Sequence, residues 1–96
     1  MNELLALTLE LMRLARMPPP QAPSIWHPPT KREFSYLQKL IAIADNPVLS
    51  VGERAQELYL HLRKDKGFAR WARRFTRGPR QRRVLLTYLY LARNTP

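Results

Sequence analysis

A chain of 96 residues can form one domain with a thin hydrophobic core, and 45% hydrophobic with 25% charged residues is ordinary for a globular protein. The chain has no cysteine, which excludes disulfides, thiolate catalysis and cysteine-based metal sites, and favours an intracellular, cytoplasmic location. The net charge of +10 favours a polyanion or an acidic protein as partner. Only three glycines and an abundance of Leu, Ala and Arg predict an all-α protein.

Residues 3–17 are predicted to form the first helix, with Asn2 as its N-cap. The helix has two apolar sides, because Leu5, Leu9 and Met12 lie away from its main leucine stripe. Such a helix is sandwiched within its own bundle or packs against a second chain. We expect burial within the bundle, with a homodimer through residues 4–15 as the alternative.

The amino-terminal segment is not typical of a signal peptide, because Glu10 and Arg13 interrupt the leucines and no basic region precedes them. No segment reaches the roughly twenty apolar residues that a membrane span requires. We therefore expect no membrane span.

Residues 18–29 contain six of the nine prolines and are predicted to be an extended connector, because proline fixes φ and removes amide donors. Ile25 and Trp26 are too apolar for a free linker. We expect a strap laid across the bundle and anchored by Trp26, with a proline-rich ligand for another domain as the alternative.

Two capping boxes predict the starts of the next helices, Thr30 with Glu33 and Ser50 with Glu53. In each, the hydroxyl would accept from the glutamate N–H while the carboxylate accepts from the hydroxyl residue's N–H. Asn46-Pro47 is predicted to end the second helix. Gly67 is predicted to end the third helix, near residue 66, as a left-handed residue.

A short fourth helix is predicted over residues 68–77, ending at Gly78-Pro79, and a fifth over about 80–93. Apolar residues cover most of the fifth helix, so we expect it at the centre of the core. The sequence therefore predicts a single domain over residues 1–96, a small five-helix bundle with a proline-rich strap between its first two helices.

The charge is concentrated in residues 63–83, where ten basic residues accompany one acid, a local balance of +9. On a helical wheel, Phe68, Trp71 and Phe75 gather on one side of the fourth helix. Four arginines gather on the opposite side, where we expect them in water as a row: Arg70, Arg73, Arg74 and Arg77.

The positive charges of neighbouring arginines in such a row repel one another, and the helix contains no acidic residue that would reduce this repulsion. Guanidinium groups suit two-pronged contact with phosphate or carboxylate, and arginines outnumber lysines thirteen to four. We therefore expect a non-enzymatic protein that binds the nucleic-acid backbone, DNA slightly ahead of RNA. The four arginines form the centre of the surface, and its flanks are Arg63, Lys64, Lys66, Arg80, Arg82 and Arg83.

Other functions have weaker support in the sequence. A helix, the Gly67 turn and an arginine-faced helix resemble a helix-turn-helix, but the face lacks the Asn or Gln that reads adenine. The same face would suit an acidic protein surface, which makes an adaptor or inhibitor the main alternative. An amphipathic helix in a lipid interface is a further one. His27 and His61 have no ligand-spaced partners, so we expect neither a metal nor any other cofactor, and no catalysis.

Overall fold

The computed structural model describes residues 2–20 and 27–95 and is all-helical over them. Within these residues, none of the helices is both long and apolar enough to cross a membrane. The five helices in chain order are α1 (Glu3–Ala15), α2 (Lys31–Ala44), α3 (Val51–Lys64), α4 (Lys66–Thr76) and α5 (Pro79–Arg93). The predicted five-helix bundle is confirmed.

The helix starts follow from local capping chemistry. Asn2 accepts from the Leu4 N–H at 2.9 Å and so caps α1. Both predicted capping boxes are present, at the starts of α2 and α3. Asp65 caps α4 by accepting from the Phe68 N–H at 3.1 Å. Gly78 precedes α5 without a side-chain cap, and Pro79 opens that helix with its fixed φ.

The core lies between all five helices, and the middle of α5 is buried within it. Five consecutive residues, 85–89, are buried, which requires neighbours around most of the helix circumference. α5 packs against α1, α2 and α4. This central position agrees with the prediction from its apolar coverage.

Gly67 does not end α3 as a left-handed residue, and that prediction is wrong. α3 ends at Lys64, Asp65 alone separates it from α4, and Gly67 is the second residue of α4. No described glycine has a positive φ. Glycine is suited to position 67 because a Cβ there would lie 2.7 Å from the Tyr36 hydroxyl. With a single residue between α3 and α4, the turn of a helix-turn-helix is absent here.

The two apolar sides of α1 differ in how far they are buried. The main leucine stripe and Met12 are buried, which matches the expected burial within the bundle. Leu5 and Leu9 remain 42% and 54% exposed. The homodimer through residues 4–15 stays a prediction, and these two leucines are what a second copy would cover.

The end of the proline-rich connector is attached to the core. The Tyr88 hydroxyl donates to the His27 carbonyl oxygen at 3.1 Å, which joins residues 61 positions apart. The predicted anchor Trp26 lies outside the described residues.

Candidate nucleic-acid interface

One side of α4 is an aromatic wall against the core. Phe68, Trp71 and Phe75 are all buried, as the wheel predicts. The Trp71 ring centroid lies 5.3 Å from that of Phe75 and 5.5 Å from that of Tyr36 in α2. These contacts fix the rotation of α4, so its opposite side must face outward.

The opposite side carries the four predicted arginines, and all four are exposed. Within residues 2–20 and 27–95, Arg70 and Arg77 make no hydrogen bond or ion pair. Nine of the ten predicted basic residues are exposed and one, Arg82, is half-buried: the exposed ones are Arg63, Lys64, Lys66, Arg70, Arg73, Arg74, Arg77, Arg80 and Arg83.

The four arginines are exposed, as expected, but two of them have acidic neighbours from other helices. Arg73 Nε donates to Glu3 Oε1 at 3.0 Å, across to α1. Arg74 lies 3.6 Å from Glu33 Oε2 in α2, although its side chain is 64% exposed. α4 has no acid of its own, but the packing of α1 and α2 supplies two carboxylates to its arginine row. The row is therefore exposed but partly neutralised.

Arg82 differs from the rest of the predicted flank. Its guanidinium lies 3.6 Å from Glu10 Oε1 in α1, and its Nε is buried without a hydrogen-bond partner. Burial and the neighbouring carboxylate make Arg82 a link between α5 and α1 more than a surface contact.

Glu33 is a site residue that the sequence reasoning assigned to helix capping alone. Its Oε1 accepts from the Thr30 N–H at 3.1 Å, as the capping box predicts. Its Oε2 accepts from the buried Trp71 Nε1–H at 3.2 Å and lies beside Arg74. The carboxylate thus joins the start of α2 to both faces of α4. A capping box indicates one of these contacts, and nothing local in the sequence indicates the others.

A groove of about 500 Å³ lies beside this carboxylate, between α2 and α4, and is called the α2–α4 groove below. Its lining includes Arg70 and Arg74 of α4, Arg77 directly after that helix and, from α2, Arg32. The sequence reasoning missed Arg32 because it lies outside the basic segment 63–83. A smaller groove of about 310 Å³ between α4 and α5 shares His27 and Arg74 with the first.

The two histidines lie in different surroundings, and among the described residues neither belongs to a group of three or more potential metal ligands. His27 Nδ1 lies 3.1 Å from the Pro28 carbonyl oxygen, and His61 Nε2 lies 3.8 Å from Glu57 on the surface of α3. In the part of the chain that the structure describes, no three His, Cys, Asp or Glu residues cluster to hold a metal ion.

Comparison of the chain with protein-family models, with curated proteins and with solved structures gave no match. Its function is therefore inferred from the charge and geometry of this surface.

Proposed function

We propose that the basic surface of α4 and its flanks binds the phosphate backbone of nucleic acid, with DNA ahead of RNA, and that the protein is not an enzyme. The observation that carries this proposal is the exposed guanidinium row opposite a buried aromatic wall on α4. Arg70 and Arg77 are the primary contacts because they are exposed and, among the described residues, have no carboxylate partner.

The remaining arginines of the row have a secondary role. Arg73 and Arg74 each lie beside a carboxylate of their own chain, so a phosphate must compete with that carboxylate for the guanidinium. The Arg73–Glu3 pair is exposed, and such pairs are worth no more than about 1 kcal/mol, so a phosphate backbone can displace it. The contacts at Arg63, Lys64, Lys66, Arg80 and Arg83 would extend along the same backbone.

The composition of this face favours backbone contacts over the reading of bases. Guanidinium groups grip phosphate oxygens in any sequence, and phosphate contacts carry no direct sequence information. We therefore expect weak sequence preference and strong salt dependence. With six to ten phosphate contacts, affinity falls by about 10³ to 10⁵ between roughly 50 and 200 mM salt.

The test is the paired substitution Arg70→Gln with Arg77→Gln. Loss of two phosphate contacts should weaken binding to a labelled DNA oligonucleotide by about tenfold and reduce the salt slope by about two. Fluorescence anisotropy at several salt concentrations measures both quantities.

The matched control is Arg16→Gln with Lys31→Gln, which removes the same charge from two exposed residues outside the proposed surface. It should change the affinity less than twofold, since net charge alone contributes weakly at moderate salt. Equal losses in the two pairs, or no loss in either, would reject the proposed surface. Far-UV circular dichroism checks that both variants remain helical.

An acidic protein surface is the second candidate, and the ion pairs favour it. This face already binds carboxylates of its own chain through Arg73 and Arg74, so carboxylates of another chain would suit the same guanidinium groups. Competition separates the two: a protein partner that excess DNA and RNA fail to displace would make this the better assignment. The intracellular location inferred from the cysteine-free sequence stays a prediction.

A further inference from the structure

The α2–α4 groove is more than a continuation of the arginine row, because its two walls come from different helices. Arg32 of α2 contributes a guanidinium on one wall, and Arg70 and Arg74 of α4, with Arg77 directly after that helix, contribute three on the other. Arg32 is exposed and, like Arg70 and Arg77, has no hydrogen bond or ion pair within the described residues. Three unpaired guanidinium groups thus border one concave site.

The single carboxylate that lines the groove is already engaged. Glu33 accepts hydrogen bonds from Thr30 and Trp71 and lies 3.6 Å from Arg74, and its side chain is only 10% exposed. Its negative charge offsets the positive charge of one arginine, so the other three guanidinium groups can bind an anion that is not part of the protein. The groove therefore has a net positive charge in a partly enclosed space, where electrostatic attraction is stronger than on a flat surface.

Aromatic side chains lie in the same groove. Tyr36 and Trp71 both line it, with ring centroids 5.5 Å apart, and Tyr36 is only half-buried. Gly67 lines it as well, and its missing side chain allows α4 to approach the Tyr36 hydroxyl. Proteins that hold single-stranded nucleic acid combine a basic groove with aromatic and guanidinium surfaces on which bases stack.

We propose that the α2–α4 groove binds an unpaired nucleotide, so that the protein prefers single-stranded nucleic acid to duplex. The phosphates lie on Arg32, Arg70 and Arg77, and the base enters beside Tyr36. The groove volume of about 500 Å³ is within the usual range of small-ligand sites and is large enough for one nucleotide. The bases of a duplex are stacked inside the double helix and therefore cannot enter the groove. This inference rests on the proposed nucleic-acid function and adds the class of nucleic acid.

The neighbouring groove between α4 and α5 provides a path along which the bound strand can continue. It shares His27 and Arg74 with the α2–α4 groove and is also lined by Arg80. A strand seated between α2 and α4 can continue past Arg74 toward the start of α5, along the flank of the proposed surface.

The test uses Arg32→Gln, with Lys31→Gln as its matched control. Both residues are exposed, basic and in the first turn of α2, but only Arg32 lines the groove. Labelled single-stranded DNA and a duplex of the same sequence serve as probes, with inorganic polyphosphate as a base-free competitor. We expect the single strand to bind about tenfold tighter than the duplex, and Arg32→Gln to weaken single-strand binding by about three- to tenfold.

Lys31→Gln should change single-strand binding less than twofold, and Arg32→Gln should weaken single-strand binding more than duplex binding. Polyphosphate should compete less well than an unlabelled single strand of similar charge. Equal binding of single strand and duplex, with equal effects of the two variants, would overturn the groove proposal. If Arg70→Gln with Arg77→Gln still weakened both probes, the backbone-binding function would stand. If neither probe bound, the proposed function itself would fall.

Discussion

At the residue scale, Glu33 links folding to the candidate site. The carboxylate caps α2, satisfies the buried Trp71 N–H and lies beside Arg74. Gly67 has a comparable double role, since its missing side chain both allows α4 to pack against Tyr36 and lines the α2–α4 groove. At both positions, one residue sets the helix packing and the shape of the surface together.

Glu33→Ala should therefore destabilise the protein by about 2 to 3 kcal/mol, because the buried Trp71 N–H loses its acceptor and α2 loses half of its capping box. Glu33→Gln retains one acceptor oxygen and should cost about 1 kcal/mol. Urea denaturation followed by circular dichroism measures both.

Glu53→Ala is the control, because Glu53 completes the capping box of α3 but accepts no hydrogen bond from a buried side chain. Its effect should be clearly smaller than that of Glu33→Ala. Equal effects would show that the contact with Trp71 contributes nothing to stability.

At the scale of the element, α4 is a short helix of strongly basic composition. Its stability depends on the cap at its start and on the burial of its aromatic face. It begins directly after α3, and Asp65, its N-cap, places a negative charge at its positive end. The hydrogen bond from the Phe68 N–H lowers the pKa of Asp65 below its ordinary value of 3.8, with a smaller contribution from the Lys39 ammonium group. The buried aromatic wall stabilises the helix by removing apolar surface from water, which the exposed arginine face does not do.

Asp65→Ala should destabilise the protein by about 1 kcal/mol, while Asp65→Asn should cost much less because Asn also caps helices. The charged form is favoured in the folded protein, so the contribution of Asp65 is present above its ordinary pKa and is lost as pH falls through the lowered value. Thermal unfolding from neutral to acidic pH checks both statements. A difference between wild type and Asp65→Ala that persisted unchanged at the lowest pH would contradict them.

At the scale of the whole molecule, the excess charge is not confined to one sequence segment. Carboxylates from α1 and α2 lie against the basic end, where Glu3, Glu10 and Glu33 contact Arg73, Arg82 and Arg74 respectively. Arg32 of α2 adds positive charge on the far wall of the α2–α4 groove. The basic residues of the proposed binding surface thus come mainly from α2, α3, α4 and α5.

Glu3→Gln should strengthen DNA binding about two- to threefold, because it releases Arg73 for a phosphate contact. The substitution should alter stability little, since the ion pair is exposed. Glu57→Gln is the charge-matched control on α3, where the glutamate lies beside His61 and outside the proposed surface. Equal changes in the two variants, measured by anisotropy, would mean that only net charge matters.

The sequence alone was sufficient to predict the five helices, the starts of all of them except α4, and the two faces of α4. Capping interactions and helical periodicity involve residues at most a few positions apart, so they can be predicted from the sequence. The capping boxes at Thr30 and Ser50 and the buried ring of Trp71 were predictable for this reason. The error at Gly67 is also local, because glycine is common at helix ends, whereas here Asp65 caps α4 two residues earlier and so places Gly67 inside that helix.

Only the tertiary structure decided which charges meet. Glu3 and Arg73 are 70 positions apart, and Glu33 and Trp71 are 38 apart. A helical wheel shows which side of a helix faces outward, but not which neighbouring helix lies beside it. The packing of α1 and α2 around α4 therefore determined which arginines are paired, and it brought Arg32 to the groove. Interactions within a helix are set by spacing along the chain, whereas contacts between helices depend on how the whole core packs.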